Sequence, residues 1–467
     1  MKTHRPFETA FAVLWRVAIL ALPWQTRWFA DASLAGWPWE QGRWSFYASW
    51  LVIMAAVAVG LAILRFDRVH ATDGTSISPA KRKFPIGKFR LAGLAAVSLL
   101  ILATVVACGS DRLAWTAALQ WWLQVSVLAS FAWILVRVRI PKRTFATWFV
   151  VSLIPHVALG IWQYGIQKVI GHPWLGMATQ VASDAGVSVV EHGDFRVLRM
   201  YGGFPHPNVL GGWAAVGLLL SFWLAATSAT KARCLGWSLA SAGLAVALLL
   251  TFARGAWIAA AVGSAVLLGL LVRAHLAKRP VADGEAPSFQ YLGVAASFAL
   301  LVAAAVVATQ FDHLAVRFGR TERLEVKSLE ARVSSLRAGT GIFSRHPTFG
   351  TGPNAELLDL AGSVDGDVSE APLEPPHSAY LLAFVNVGII GSMALVFLAG
   401  RFVLSVFRRK ERAVPLAMLS TLAVLALFDH YPWSLSAGQS LVASVIAIAF
   451  MDRRSDTAPI GGRGMPQ

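Results

Sequence analysis

Cysteine is almost missing from this chain of 467 residues: there are two, Cys108 and Cys234. They sit near the ends of apolar runs expected at opposite faces of a bilayer. A disulfide needs Cα atoms within about 7 Å, so the two cannot pair or share a metal, and thiol redox chemistry is not expected. Charge is scarce as well, at 14% of residues, and acidic side chains are the scarcer sign, 25 against 41 basic. The resulting net charge of +16 is unaccompanied by any nucleic-acid-binding motif, so nucleic acid is not an expected partner. The excess is read as topological, with anionic lipid headgroups as its natural counterpart. No histidine–cysteine cluster with ligand spacing occurs in the segments expected outside the bilayer. Neither a metal nor a cofactor is therefore expected.

Long hydrophobic runs are abundant. Hydrophobic residues make up 56% of the chain and mean hydropathy is +0.59, too apolar for a water-soluble globule. Each run must satisfy its own backbone hydrogen bonds in lipid, which makes helices the default. About twelve are read near 7–23, 46–64, 91–108, 113–136, 144–163, 209–228, 235–252, 255–272, 291–309, 379–400, 414–429 and 436–451. The expected fold is an all-α polytopic membrane protein, one integral-membrane domain over 1–467. The first run has a basic flank and a signal-cleavage-like Ala30-Asp31-Ala32, but its Trp-rich exit and the even helix count favour a retained helix.

Basic residues assign the sides. Arg65, Arg68, Lys81, Arg82, Lys83, Lys88 and Arg90 follow the second run, and Arg137, Arg139, Lys142 and Arg143 the fourth. Lys231 and Arg233 follow the sixth, Arg273, Lys278 and Arg279 the eighth, and Arg401, Arg408, Arg409, Lys410 and Arg412 the tenth. With alternating helices all these loops share one side, which is then cytoplasmic. Both termini join it, through Lys2 and Arg5 at one end and Arg453 and Arg454 at the other.

The opposite, outer side carries two long loops, 164–208 and 310–378, and loops of that length are usually functional. In the second, Leu329, Val333 and Leu336 recur at helical spacing among Glu322, Glu325, Glu330, Arg332 and Arg337. Two readings stand: an amphipathic helix on the membrane surface, or a lid over a cavity. Arg345 to Asn354 follow as a dense turn signal containing His346. The first long loop closes on Arg199-Met200-Tyr201-Gly202-Gly203-Phe204-Pro205-His206-Pro207-Asn208, where Pro and Gly delay the next helix and leave Arg199 at the outer interface. Arg196 lies in the same loop. His206 can bond backbone or serve the chemistry.

Arg254 occupies a tight outer turn between two apolar runs, against the positive-inside bias. It either snorkels to headgroup phosphate or points into a polar cavity to hold an anion. Arg16, within the first run, reaches an interface or a helix partner. His377 with Ser378 opens the tenth run at the outer side, and an ionisable group there is a functional candidate. Guanidinium forks suit phosphate, and imidazole accepts a proton near neutral pH. Together they fit attack of a hydroxyl on a carbon whose leaving group is a phosphate, the arginines standing in for a metal ion.

The spacing His377-Ser378, nine residues, then Gly388-x-x-Gly391 resembles the signature of bacterial O-antigen ligases. Thr251 to Ala256 resembles the arginine–glycine turn those ligases share with O-antigen polymerases, with Phe252 and Ala253 standing where a serine often precedes the arginine. Arg199 to Asn208 and His346 to Pro353 resemble two further motifs of that superfamily, so the likeness spans about 190–400. The resemblance implies transfer of a polysaccharide from undecaprenyl diphosphate to a sugar hydroxyl of lipid A–core, at the periplasmic face of the bacterial inner membrane. It implies His377 as general base, with Arg254 and Arg199 (or Arg196) on the diphosphate and inversion at the anomeric carbon. His206, His346 and Ser378 would support them. Alternatives are an O-antigen or exopolysaccharide polymerase, a protein O-oligosaccharyltransferase, and a polysaccharide transporter, whose inverted repeats are not apparent.

Overall fold

The computed structural model describes residues 5–34, 37–72, 87–193, 195–277, 287–319, 322–362, 374–409 and 411–451. The first helices are α1 (Arg5–Ala21), α2 (Ala48–Thr72), α3 (Gly87–Cys108), α4 (Arg112–Arg137) and α5 (Lys142–Ile166). Next come α6 (Pro207–Ala226), α7 (Lys231–Leu250), α8 (Arg254–Leu276) and α9 (Phe289–Thr309). The second long loop contains α10 (Phe311–Val316), α11 (Arg323–Arg345) and α12 (Glu356–Gly362), before α13 (Ala379–Phe407), α14 (Ala413–Phe428), α15 (Tyr431–Ser434) and α16 (Ser436–Phe450).

Eight of these, α2, α4 to α9 and α13, are long and apolar enough to cross a bilayer. Shorter apolar helices occupy Ala92–Cys108, Ala413–Phe428 and Ser436–Phe450, and α1 adds 17 residues that include Arg16. The chain is a multi-pass helical membrane protein. Each of the twelve expected runs falls on one of these helices; the largest displacements are at the ends of α2, which reaches Thr72, and α13, which reaches Phe407.

The fold is mostly helical, consistent with an all-α polytopic membrane protein. Among the described residues the connections between helices add eight short strands in four two-stranded antiparallel hairpins. β1 (Arg27–Ala30) pairs with β4 (Trp44–Tyr47), and β2 (Ser33–Leu34) with β3 (Trp37–Pro38). β5 (Lys168–Val169) pairs with β6 (Gln180–Val181), and β7 (Val189–His192) with β8 (Phe195–Leu198). Pieces of two to four residues are too short to show an alternating pattern, although Val189-Val190 and the aromatic β4 have strand-forming side chains. The second helix accordingly begins at Ala48, after β4, rather than at 46.

α6 is the buried centre: 94% of its apolar window lies inside the protein. Between apolar helices in lipid, close approach rather than hydrophobicity drives association, and small residues permit it. Gly211 faces Ala253 and Ala256 of the α7–α8 turn, Gly212 faces the Tyr431 hydroxyl, and Gly217 faces Leu153 of α5. At the far end of the bundle several junctions are tied together. Arg143 Nη1 donates to Thr227 Oγ1 at 2.8 Å, Lys142 Nζ lies 3.6 Å from Glu411, and Arg409 donates to the Phe450 carbonyl. The connections after α4, α6 and α13 thus meet at one end of the bundle. Lys2, Lys81, Arg82, Lys83, Lys278, Arg279, Lys410, Arg453 and Arg454 lie outside the described residues. Cys108 packs beside Ala114, Ala118 and Ala355, whereas Cys234 sits against Ser238 and Tyr291; neither forms a disulfide.

α13 is broken at Gly388, whose φ of 60° and ψ of −169° leave the helical region. A turn from the preceding loop enters the break. The Thr351 and Gly352 amides donate to the Val385 and Asn386 carbonyls, while the Ile389 and Ile390 amides donate to the Pro347 and Thr348 carbonyls. Backbone groups freed by the break are thereby satisfied, the condition for irregular backbone at membrane depth. A Cβ on Gly388 would lie 2.5 Å from the Gly350 nitrogen and the Thr348 carbonyl, so the position needs glycine for both conformation and space. Gly391 lies one turn beyond, its α-carbon facing Leu100 of α3.

Asn386, beside the break, joins three elements. Its Nδ2 donates to Glu356 Oε2 at 2.8 Å, and its Oδ1 accepts from Trp433 Nε1 at 2.7 Å and from the Asn354 amide at 3.2 Å. Burial pushes the Glu356 carboxyl up to about 7, against a lesser downward pull from the Asn386 bond. A raised folded-state pKa means the stability contribution is complete below the ordinary value near 4.5 and is lost as pH rises through about 7. The thermal midpoint of the detergent-solubilised protein is expected to fall across that window, and Glu356→Gln to flatten the fall. A Gln variant with the parental pH slope would show that Glu356 is not its source.

Candidate active site

The starts of α6 and α8 and the end of α14 meet α11 around a cleft lined by Asn208, Arg254, Gly255, Arg332 and Asp429, among others. Arg254 is the first residue of α8. The residue before it, Ala253, has no side chain with which to cap the helix, and the Arg254 and Gly255 amides have no partner among the described residues. A helix N-terminus with free amides attracts anions. Gly255 is required there because a Cβ would come within 2.8 Å of Phe428. Phe252, fully buried, holds a left-handed φ of 49°, costly for a bulky side chain. Its carbonyl accepts from Arg317 Nε at 3.1 Å, one of the contacts that hold the turn.

Arg254 does not snorkel to the membrane surface. Its Nη1 donates to the Arg317 carbonyl at 2.6 Å and its Nη2 lies 3.3 Å from Glu325 Oε2. Glu325 is buried and also pairs with Arg317, so one carboxylate on α11 faces two guanidiniums. The local balance is positive, and Arg332, one and a half to two turns along α11, adds to it. Burial lowers the Arg332 pKa, Asp429 opposes the drop, and Arg254 adds to it. No hydrogen bond to the Arg332 guanidinium is found among the described residues. α11 also reaches His377, whose amide donates to Ser335 Oγ at 3.4 Å. The helix therefore roofs the cleft, while Leu329, Val333 and Leu336 remain exposed on its outer side.

Arg199 is buried beneath this region. Its Nε donates to the Thr251 carbonyl at 2.7 Å and its Nη2 to Asn208 Oδ1 at 2.6 Å. Asn208 Nδ2 donates onward to Asp429 Oδ2 at 2.7 Å. Burial, with the Arg317 and Arg332 charges, pulls the Arg199 pKa down to about 9, leaving it protonated at neutral pH. Arg196 is different: it caps the Ser183 and Asp184 carbonyls within its own loop and is not among the cleft-lining residues. His206 is the N-cap of α6, its Nδ1 accepting from the Asn208 amide while Nε2 meets Ser188 Oγ at 2.7 Å. Burial and the Arg199 charge hold its pKa down at about 3, so it is a neutral cap with both nitrogens engaged.

His377 stands at the mouth of α13 with Ser378 as the N-cap, accepting from the Leu381 amide. His377 Nε2 lies 3.3 Å from Glu374 Oε2, whereas Nδ1 is buried without a hydrogen-bond partner. With the proton on Nε2 facing Glu374, the free lone pair is on Nδ1. Its bond to His377 draws the Glu374 pKa down against the opposing effect of burial. The His430 ring lies 5.6 Å from that of His377, centre to centre, and His430 Nδ1 meets Ser434 Oγ at 2.7 Å. Burial pushes the Asp429 pKa up, but His430, His377, His206 and the Asn208 amide outweigh it and leave it lowered. Burial lowers His430, Asp429 opposing it. Candidate ligand atoms of His377, Asp429 and His430 all lie within 4.8 Å of one another. Zinc bonds of about 2.0–2.2 Å could be reached with modest closure, so the donor set does not itself decide against a cation. The loop before His377 also contains Asp365-Gly366-Asp367, outside the described residues.

The other candidates lie apart from the cleft. His346 Nε2 meets Asp359 Oδ1 at 2.7 Å, and Asp359 also pairs with Arg345, joining α11 to α12. Arg16 stacks between the Trp15 and Trp148 rings, at 5.5 Å from each centre, a contact with α5. Four residues of the site escaped the sequence reading: Asn208 as a bridge, Arg332, Asp429 and His430. An Asp-His pair in a short turn between two apolar runs was the available signal.

These features define a multi-pass membrane protein with an electropositive cleft beside a histidine pair. Residues 239–396, about a third of the chain, match the family model described as O-antigen ligase, which supports membership of the O-antigen ligase/Wzy-like superfamily. That superfamily comprises membrane ligases and polymerases of glycans. The match spans Arg254, Arg332, His377 and Gly388, and excludes Arg199, Asp429 and His430. A search of curated proteins gives no match to the chain.

Proposed function

We propose that the protein is an O-antigen ligase, transferring polysaccharide from undecaprenyl diphosphate to a sugar hydroxyl of lipid A–core at the periplasmic face of the inner membrane. The observation that carries this reading is the pairing of an unpartnered His377 Nδ1 with a cleft framed by Arg254, Arg332 and the uncapped start of α8. His377 Nδ1 takes the proton of the acceptor hydroxyl. The oxygen attacks the anomeric carbon from the side opposite the diphosphate, with inversion, as the carbon–phosphate-oxygen bond breaks and its electron pair leaves with undecaprenyl diphosphate. Arg254, Arg332 and the α8 amides stabilise the departing charge. Arg199 sets Asn208 and through it Asp429, and adds positive charge beneath the site.

Because guanidinium groups meet the leaving charge, the reaction is expected to need no divalent ion. The full chain reconstituted with lipid-linked donor and rough lipopolysaccharide should keep its initial rate in excess chelator. Loss of rate, restored by one added cation, would instead assign the His377, Asp429 and His430 cluster to a metal. Deleting the gene tests the acceptor: lipopolysaccharide with free core and accumulated lipid-linked polymer supports ligation. Core carrying a single repeat would point to a polymerase.

A further inference from the structure

α11 has a second face that its place over the cleft does not use. On one side Glu325 meets Arg254, Arg332 lines the cleft, and Ser335 accepts from the His377 amide. Val326, Leu329, Val333 and Leu336 recur at alternating steps of three and four and are 37%, 46%, 40% and 38% exposed. At about 3.6 residues per turn they form a single stripe, beside the cleft-facing side rather than opposite it. A row of aliphatic side chains is unfavourable against water. A multi-pass protein has lipid as its second solvent, and the neighbours of α11 decide between the two.

Both ends of the roof rest on aromatic side chains of helices long enough to cross a bilayer. Phe318, ahead of α11, lies 5.9 Å from Trp257 of α8, ring centre to centre. At the other end Phe343 meets Phe384 of α13 edge-on at 6.3 Å, and Gly339 fits against Pro376 and Leu381. Phe384 is exposed, as are Ile389 and Met393 further along α13, and such side chains on a spanning helix face lipid. α13 starts at Ala379, which puts Phe384 about 8 Å along it at about 1.5 Å per residue. The apolar face of an interfacial helix lies at a similar depth, about 5–10 Å. Leu329, Leu336 and Phe343 follow one another at two-turn intervals, so the line that ends on Phe384 is an edge of the stripe itself. Arg337, exposed and one turn from Val333, borders the stripe where its guanidinium can reach a headgroup phosphate. We propose that α11 is an interfacial helix whose stripe is seated in the bilayer leaflet on the cleft side, so that lipid as well as protein holds the roof over the cleft.

The test uses the full chain with Cys108→Ala and Cys234→Ala, carrying one new cysteine labelled with an environment-sensitive fluorophore, in vesicles of phosphatidylethanolamine and phosphatidylglycerol. At Leu329→Cys and Val333→Cys the emission should be blue-shifted. A nitroxide high on the acyl chain of added phosphatidylcholine should quench it more than one near the chain end. Lys327→Cys and Ser334→Cys, exposed on the polar side of α11, should emit as in water and lose far less intensity. Adding Leu329→Asp and Val333→Asp should remove most of the lipid quenching of a label at Leu336→Cys. Water-like emission without lipid quenching at Leu329→Cys and Val333→Cys would overturn the proposal, as would a Leu336→Cys label indifferent to the two aspartates. Blue-shifted emission that no lipid nitroxide quenches would also overturn it, placing a second copy of the chain over the stripe. No turnover enters these readouts, so failure of the ligase reading would leave the result standing.

Discussion

Replacing His377 with alanine is expected to reduce glycan transfer by about 10²–10⁴-fold, the usual contribution of a positioned general base. Its ring bonds to Glu374 and lies against His430, and the helix start it precedes is capped by Ser378. Membrane insertion and the thermal midpoint of the variant should therefore stay near wild type. The measurement is the initial rate of the reconstituted full chain, with lipopolysaccharide capping in a complemented deletion strain alongside. Normal capping in the alanine variant would remove His377 from the chemistry and transfer the role of base to His430, the next imidazole in the cluster.

Arg254→Ala should cost about 10²–10³-fold in rate, the range for removing one donor that stabilises developing negative charge. Arg254→Lys is the sharper variant. Lysine keeps the charge and can keep the pairing with Glu325, but it loses the planar fork that binds two phosphate oxygens at once. An intermediate loss is therefore expected, carried by kcat rather than by the yield of folded protein. Arg317 still satisfies Glu325 when Arg254 is gone, so neither variant leaves a buried carboxylate unpaired. Wild-type activity in the lysine variant would mean that Arg254 serves only to anchor α11.

Some of the site was legible because it violates a simple expectation. Arg254 drew attention as a cation in a short turn opposite the basic loops, and His377 as an ionisable group opening an apolar run. In the structure both border the region of Asp429. Arg199 was also readable, since the Pro-Gly-rich stretch after it fixes where α6 begins, yet its donors largely serve Thr251 and Asn208 rather than an open cavity. Arg196, equally plausible by position, turns inward on its own loop. Nothing in the spacing of charges within a loop separates those two outcomes. The strands were illegible for a different reason: pairing between pieces of two to four residues is set by partners across a loop, not by local pattern.

The glycines of the Gly388-x-x-Gly391 motif show how far a motif and its cause can stand apart. Spacing alone suggested a family, but the cause is a helix broken so that the turn at Pro347 to Gly352 can hydrogen-bond into it. Likewise α11 could be written as a surface helix or a lid, since its composition fits both. Contacts of Glu325 and Ser335 with groups on other elements, and the place of Arg332 in the cleft wall, favour the roof over the cleft.

By itself the sequence determined that the chain is membrane-bound and helical, where its apolar helices run, and that a histidine and arginines stand in the connections between them. Those properties follow from hydropathy and charge summed over neighbouring residues, which need no knowledge of the fold. Only the tertiary structure decided that Asp429 and His430 join His377, and that Asn208 links Arg199 to Asp429. Each of these depends on hydrogen bonds and burial between residues far apart in the chain, and such pairings have no local signature.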